Sequence, residues 1–183
     1  FLCGHGTVIG GVLIDGGSFD WARATRFPEL NQPYAGFHGM VFAEESTDGA
    51  FLLPARREGL RDFGASMSPH TAWLMLQGIE TLPLRMARHV ENTRKIVTFL
   101  VAHPMVSHVG YPELDGHPSK ALAAKLLPRG CGAVFSFDLK GSRKQGVVFI
   151  EALKIFSHLA NVGDSRSLVI HPASTTHFRM DDT

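Results

Sequence analysis

At 183 residues, with 44% hydrophobic and 19% charged positions, the chain has the composition of an ordinary globular protein that can bury a core, as one domain or parts of two. A formal net charge of +1 offers no electrostatic case for nucleic acid or an anionic membrane, and no apolar stretch approaches the roughly 20 residues of a membrane-spanning helix. Cys3 and Cys131 are the only cysteines, which excludes a disulfide scaffold and fits a reducing compartment.

The first element lies in "FLCGHGTVIGGVLIDGG". Val8, Ile9, Val12, Leu13 and Ile14, interrupted by Gly10 and Gly11, predict a strand buried in an α/β core. The basic start and longer apolar stretch of a signal peptide are missing. From Ser18 to Ala65 the pattern is irregular. "RFPELNQPYAGFHGMVFAEE" carries Phe27, Tyr34, Phe37 and Phe42 between prolines and glycines, and reads equally as a lid or binding loop or as a packed surface excursion.

Ser68 is a natural N-cap with Pro69 at the first helical position. Met86, Val90, Thr93, Val97 and Leu100 recur at steps of three and four, which predicts one buried helical face. Pro83 cannot donate a backbone bond, so the helix should bend between Thr81 and Arg85, and a domain boundary fits there, between residues 1–82 and 83–183. Beyond Pro104, "MVSHVGY" reads as a strand and "SKALAAKLL" as a helix. In "GAVFSFDL", Ala133, Phe135, Phe137 and Leu139 share one face of a half-buried strand. "RKQGVVFIEALKIF" predicts a helix and "SLVIHP" a last strand, together a small layered α/β domain.

Few motifs carry chemistry. His5 between two glycines suits a turn as well as a ligand. His103, His108 and His117, or His171 and His177, lack zinc-site spacing. No Gly-x-Ser-x-Gly elbow occurs, and "GHGTVIGG" precedes a strand, the wrong context for a dinucleotide loop. The densest polar stretch is "FSHLANVGDSRSLVIHPASTTH", with Asn161, Gly163, Asp164 and Ser167 before a strand and Ser174, Thr175 and Thr176 after it. Strand-end polar groups of this kind bind small anions and amides, and they also build ordinary turns. Both readings stay open on the residues alone.

"HPASTTH", "SPHTAWLMLQGIETLPLRMARHVENT" and "GHGTVIGGVLIDGG" together resemble the Cys/Met-metabolism family of pyridoxal-phosphate enzymes, in the right order over nearly the whole chain. Asn161, and the "FPELNQPYAGFHGMVFAEE" insertion, are similar to its O-acetylhomoserine sulfhydrylase branch. Cys3 departs from the small residue usual in relatives. The resemblance implies an α/β fold: the end of a pyridoxal-phosphate-dependent transferase large domain (1–82), a long kinked helix, and a small C-terminal α/β domain (83–183).

It further implies pyridoxal 5'-phosphate as cofactor and a Schiff-base lysine immediately before Phe1, so that no catalytic residue lies in the chain. Asn161 and Thr176 are the expected substrate-binding residues, facing one ligand volume, with Ser167 a weaker candidate for orienting that loop. Cofactor-binding residues would lie upstream and a carboxylate-binding arginine beyond Thr183, and no metal is expected. The implied reaction replaces acetate at the γ carbon of O-acetylhomoserine by sulfide or a thiol. A cystathionine γ-synthase or methionine γ-lyase activity is the alternative within the family. A non-catalytic oligomerisation part or a small-ligand binding module is the alternative outside it. The implied partners are an amino-acid substrate and sulfide, with a cytoplasmic homotetramer built from dimers and neither nucleic acid nor membrane. The aromatic loop Phe27–Phe42 is expected at the active-site entrance or a subunit contact. Lys95, Lys120, Lys125, Lys140, Lys144 and Lys154 are expected on helices or turns, unsuited to hold the cofactor.

Overall fold

The computed structural model describes residues 1–46 and 49–179. Two compact units are present: Gly10–Ala72, and Phe1–Ile9 together with the chain from Trp73 onward.

In Gly10–Ala72, prolines and glycines break the chain into short turns that aromatic rings hold together. A 3-10 turn, Trp21–Arg23, is capped by the Asp20 carboxylate, which accepts from the Arg23 N–H at 3.2 Å. Helices α1 (Pro28–Asn31), α2 (Phe42–Glu45) and α3 (Leu52–Pro54) follow, and α3 runs into an eight-residue π-helix, Ala55–Asp62. The Trp21 ring stacks on Phe51 at 5.4 Å and meets Phe19 and Phe27 edge-on. Tyr34, Phe37 and Phe42 form a second ring cluster, with Phe42 only 1% exposed. The guanidinium groups of Arg57 and Arg61 lie 5.3 and 5.2 Å from the Phe37 ring centre, a cation–π arrangement. These turns and the π-helix went unforeseen, because ring contacts between distant residues, not local periodicity, stabilise them.

The buried strand expected at Val8–Ile14 is not formed. Ile9 is 96% exposed and Ile14 83%, and the run belongs to no strand. β-branched residues adopt a strand only against a neighbouring edge, and among the described residues none pairs with this run.

The second unit is built around two helices, α4 (Pro69–Glu80) and α5 (Leu82–Ala102). Ser68 Oγ accepts from the Thr71 N–H at 3.1 Å, the cap its position predicted. The helices separate at Thr81, with Pro83 in the first turn of α5. Val90, Thr93, Val97 and Leu100 are buried on α5, as their spacing required, whereas Met86, at the head of the same row, is half-buried. Against that face lie β1 (Val106–Gly110) and Tyr111, the latter 1% exposed.

β1 pairs antiparallel with β2 (Ser136–Leu139), Val109 opposite Phe137. Side chains along β2 alternate exposed and half-buried, as its sequence pattern required. Helix α6 (Lys120–Leu126) joins the two strands. Helix α7 (Arg143–Ala152) starts at Ser142, whose N–H and Oγ both donate to Gln145 Oε1. β3 (Ser157–His158) and β4 (Leu168–Val169) form a short parallel pair. The last strand is therefore two residues long, not the whole of "SLVIHP", because its partner offers only two residues.

Glu113 ties the unit together. It takes two bonds from Arg94 (2.7 and 3.1 Å) and accepts from the Cys131 N–H (2.9 Å) and the Tyr111 hydroxyl (3.3 Å). No helix among the described residues is long and apolar enough to cross a membrane.

Candidate functional site

Polar and glycine positions of the second unit converge on the first residues of the chain. At Gly78 in α4, a Cβ would lie 2.4 Å from the Cys3 carbonyl carbon and 2.5 Å from the Leu2 and Cys3 carbonyl oxygens. The Leu2–Cys3 backbone therefore rests directly on the helix backbone, and glycine alone admits that approach. Gly4, at φ +82°, then turns the chain away.

The helix break supplies the polar half of this contact. The last carbonyls of a helix lack the donors of a following turn, and Arg85 reaches one of those of α4. Its Nη2 donates to the Gly78 carbonyl at 2.6 Å, its Nε to Thr81 Oγ1 at 3.1 Å, and its Nη1 to the Phe1 carbonyl at 2.8 Å. The Phe1 ring packs edge-on against the His89 imidazole, with centres 5.6 Å apart. His89 Nε2 is buried without a hydrogen-bond partner. Burial first, and then the positive charge of Arg85, holds this imidazole below its ordinary pKa.

On its other side Phe1 meets the loop between β3 and β4. A Cβ on Gly163, whose φ is +95°, would sit 2.3 Å from the Phe1 main-chain nitrogen. Asn161 stands two residues away. Its Nδ2 donates to the Gly163 carbonyl (3.1 Å) and its Oδ1 accepts from the Val162 N–H (2.9 Å). The Asp164 side chain is 7% exposed and accepts from the Arg166 N–H at 2.9 Å. That bond, with help from the Arg166 charge, keeps its carboxyl below the usual range.

Ser167 is exposed at the start of β4, and its carbonyl accepts from the Ser157 N–H at 2.9 Å. Thr176 is exposed in the turn after β4, with Oγ1 2.8 Å from His177 Nδ1. A packed histidine fixes that turn. His171 Nδ1 bonds Ser174 Oγ at 2.8 Å, its carbonyl accepts from Thr175 Oγ1 at 2.9 Å, and its Nε2 lies where a Cβ on Gly146 would fall. Asn161, Ser167 and Thr176 thus all flank the β3–β4 pair; Asn161 and Thr176 bond within their own loops, and Ser167 bonds across to β3.

Gly78, Arg85 and His89 lie outside the residues that stand out in the sequence, where Gly163 reads as turn chemistry. A glycine in the last helical turn before a proline-broken junction is the available signal. In the other unit, Trp21, Phe27, Phe51, Glu29 and Glu58 line an open cavity of about 360 Å³, so at least one ring of the aromatic loop borders a cavity. No group of three metal-binding side chains occurs among the described residues.

Comparison with known proteins gives these positions a context. A family model described as "Cys/Met metabolism PLP-dependent enzyme" matches residues 1–183. The homocysteine synthase of Schizosaccharomyces pombe is 49% identical over 183 residues, covering 100% of this chain and 43% of that protein. The O-acetyl-L-homoserine sulfhydrylase of Leptospira meyeri is 48% identical, covering 97% of this chain and 42% of the relative. A crystal structure of a putative O-acetylhomoserine (thiol)-lyase from Campylobacter jejuni, with N'-pyridoxyl-lysine-5'-monophosphate, superposes with a TM-score of 0.71 at 34% identity. It covers 86% of this chain and 37% of that one. The chain thus spans less than half the length of the relatives it matches. With the family model matched from end to end and relatives near half identity, the chain belongs to the Cys/Met metabolism PLP-dependent enzyme family.

Proposed function

We propose that the full-length protein catalyses γ-replacement on O-acetylhomoserine with pyridoxal 5'-phosphate as cofactor. Sulfide or a thiol forms the new C–S bond at the γ carbon. The C–O bond there breaks, and acetate leaves with its electron pair. Homocysteine is released with sulfide, or methionine with methanethiol, a step of methionine biosynthesis. The relatives named homocysteine synthase and O-acetyl-L-homoserine sulfhydrylase support this branch. Within the structure, the observation that carries the reading is Phe1 seated against Gly163 beside Asn161. A cofactor lysine immediately before Phe1 would leave the chain at that place.

The residues present fit such a group on one side. Gly163 and Gly78 let the chain next to that lysine sit flush on the loop and on α4, and Asn161 and Thr176 are exposed donors on the adjoining loops. The bound cofactor supplies an electron sink for bond making and breaking on the substrate. Asn161 Nδ2 and the Thr176 hydroxyl donate to the substrate α-carboxylate, and Ser167 steadies the loop between them. Their work is orientation and needs no titration.

We place residues 1–82 in the end of the large domain and 83–183 in the small C-terminal domain, with α4 and α5 as the joining helix. The assembly is a homotetramer of dimers acting in the cytoplasm, in keeping with two free cysteines. A cystathionine gamma synthase of Xanthomonas oryzae, TM-score 0.61 at 39% identity over 65% of this chain and 30% of that one, keeps cystathionine formation as the second reading.

The test is purification of the full-length protein, borohydride reduction, and assay with sulfide against O-acetyl-, O-succinyl- and O-phosphohomoserine. A reduced cofactor adduct on the residue before Phe1, and homocysteine from the acetyl ester, are expected. An adduct on any of Lys95, Lys120, Lys125, Lys140, Lys144 or Lys154, or no homocysteine from any ester, would refute it.

A further inference from the structure

We propose that Arg85 is a positioning residue that clamps the main chain beside the cofactor lysine, joining the Phe1 carbonyl to the broken end of α4. The inference rests on the reading that this lysine immediately precedes Phe1.

Three guanidinium nitrogens meet three acceptors: the Phe1 carbonyl at 2.8 Å, the Gly78 carbonyl at 2.6 Å and Thr81 Oγ1 at 3.1 Å. Thr81 in turn donates to the same Gly78 carbonyl at 3.3 Å. Among the described residues, no carboxylate forms an ion pair with Arg85. One of its acceptors, the Gly78 carbonyl, lies at the negative end of α4, where a cation is favoured. The planar fork bridges two elements that a single ammonium could not span together.

Phe1 is thereby fixed at both ends. Arg85 holds its carbonyl, and its nitrogen lies against Gly163. Gly78 allows the intervening backbone to sit flush on α4. With these points set, the direction in which the preceding side chain leaves the backbone is set as well. Misplacement by about 1 Å of a reacting group can cost on the order of 100-fold in rate.

The experiment uses the full-length protein and its Arg85→Gln and Arg85→Lys variants, with pyridoxal phosphate as the probe. Three quantities are read: the dissociation constant for pyridoxal phosphate added to cofactor-free protein, amide exchange of the peptide spanning residues 1–6, and kcat against KM. For Arg85→Gln the expected result is at least about tenfold weaker cofactor binding, faster exchange in that peptide, and kcat about 10- to 100-fold lower with KM nearly unchanged. Arg85→Lys should fall between it and the parent. A folded Arg85→Gln protein with parental affinity, exchange and kcat overturns the inference. If the glutamine variant does not fold, a lysine variant with parental values overturns it equally. Borohydride mapping keeps the two ideas apart. An adduct before Phe1 with an Arg85→Gln variant of parental affinity, exchange and kcat sinks the clamp alone, whereas an adduct elsewhere sinks the underlying functional reading.

Discussion

Replacing Asn161 by Ala in the full-length enzyme tests the assigned substrate contact most directly. In the structure both ends of this amide serve its own loop, through Gly163 at 3.1 Å and Val162 at 2.9 Å, and the residue is exposed. Exposed neutral bonds of this kind are worth about 1 kcal/mol or less together, so loss of the loop staple alone costs under roughly fivefold in any constant. A bond to a substrate carboxylate is charge-assisted and worth about 1–3 kcal/mol. At about 1.4 kcal/mol per factor of ten, that loss raises KM for O-acetylhomoserine by about 5- to 150-fold, with a smaller change in kcat. The assay is steady-state turnover with the amino-acid substrate varied at saturating sulfide. Asn161→Asp sharpens it, because its Oδ1 still accepts from the Val162 N–H while its charge repels the carboxylate. The aspartate variant should therefore bind substrate worse than the alanine variant. A KM within about twofold of the parent for Asn161→Ala, or an aspartate variant that binds as well as the parent, would show that Asn161 does not touch the carboxylate.

Gly163→Ala should lower cofactor occupancy and turnover in the full-length protein, since φ is +95° and the new methyl would meet the Phe1 nitrogen; full occupancy by absorbance would contradict the packing described. Leu100→Ala removes a side chain from the α5–β1 core and should cost about 2–5 kcal/mol, read as a lower urea midpoint or as faster exchange in β1. Glu113→Gln should be destabilising by no more than about 1 kcal/mol through its lost charge, because Arg94 is 52% exposed. The Arg94 guanidinium holds the Glu113 carboxyl below the ordinary glutamate range, so that contribution is complete above the ordinary value and fades as pH falls through the depressed one. The difference between parent and variant midpoints should vanish in acid. The Tyr111 phenol, pushed up to about 12 chiefly by burial, favours the fold fully below its unfolded value of about 10 and loses that effect as pH rises through 12; ultraviolet titration should find its ionisation that late.

The parts of the fold legible in the sequence are those in which one local period decides burial. Val90, Thr93, Val97 and Leu100 announce the buried face of α5, and Phe137 and Leu139 the inner side of β2. Ser68 and Pro83 mark helix limits because their chemistry acts on the nearest backbone groups. The unit Gly10–Ala72 was illegible because its turns depend on rings meeting across the chain, such as Trp21 with Phe51. The same holds for the clamp. Arg85 and Phe1 are 84 positions apart, and no periodicity links a helix-break arginine to a distant carbonyl. Asn161 and Thr176 are readable as polar loop residues, whereas the glycine that brings the Asn161 loop against Phe1 reads like any other turn glycine.

The exposed run from Ile9 to Ile14 bears on how the isolated polypeptide would behave as a material. Ile9, Val12, Leu13 and Ile14 turn most of their surface to water, and none carries a charge that would repel an incoming copy. Uncharged β-branched stretches of this kind recruit one another as added strands, and the two central glycines only weaken that tendency. Concentrated solutions of the 183-residue chain should therefore scatter light increasingly with time. A lysine in place of Ile9, which is 96% exposed, should keep them clear without disturbing any packed side chain of this polypeptide.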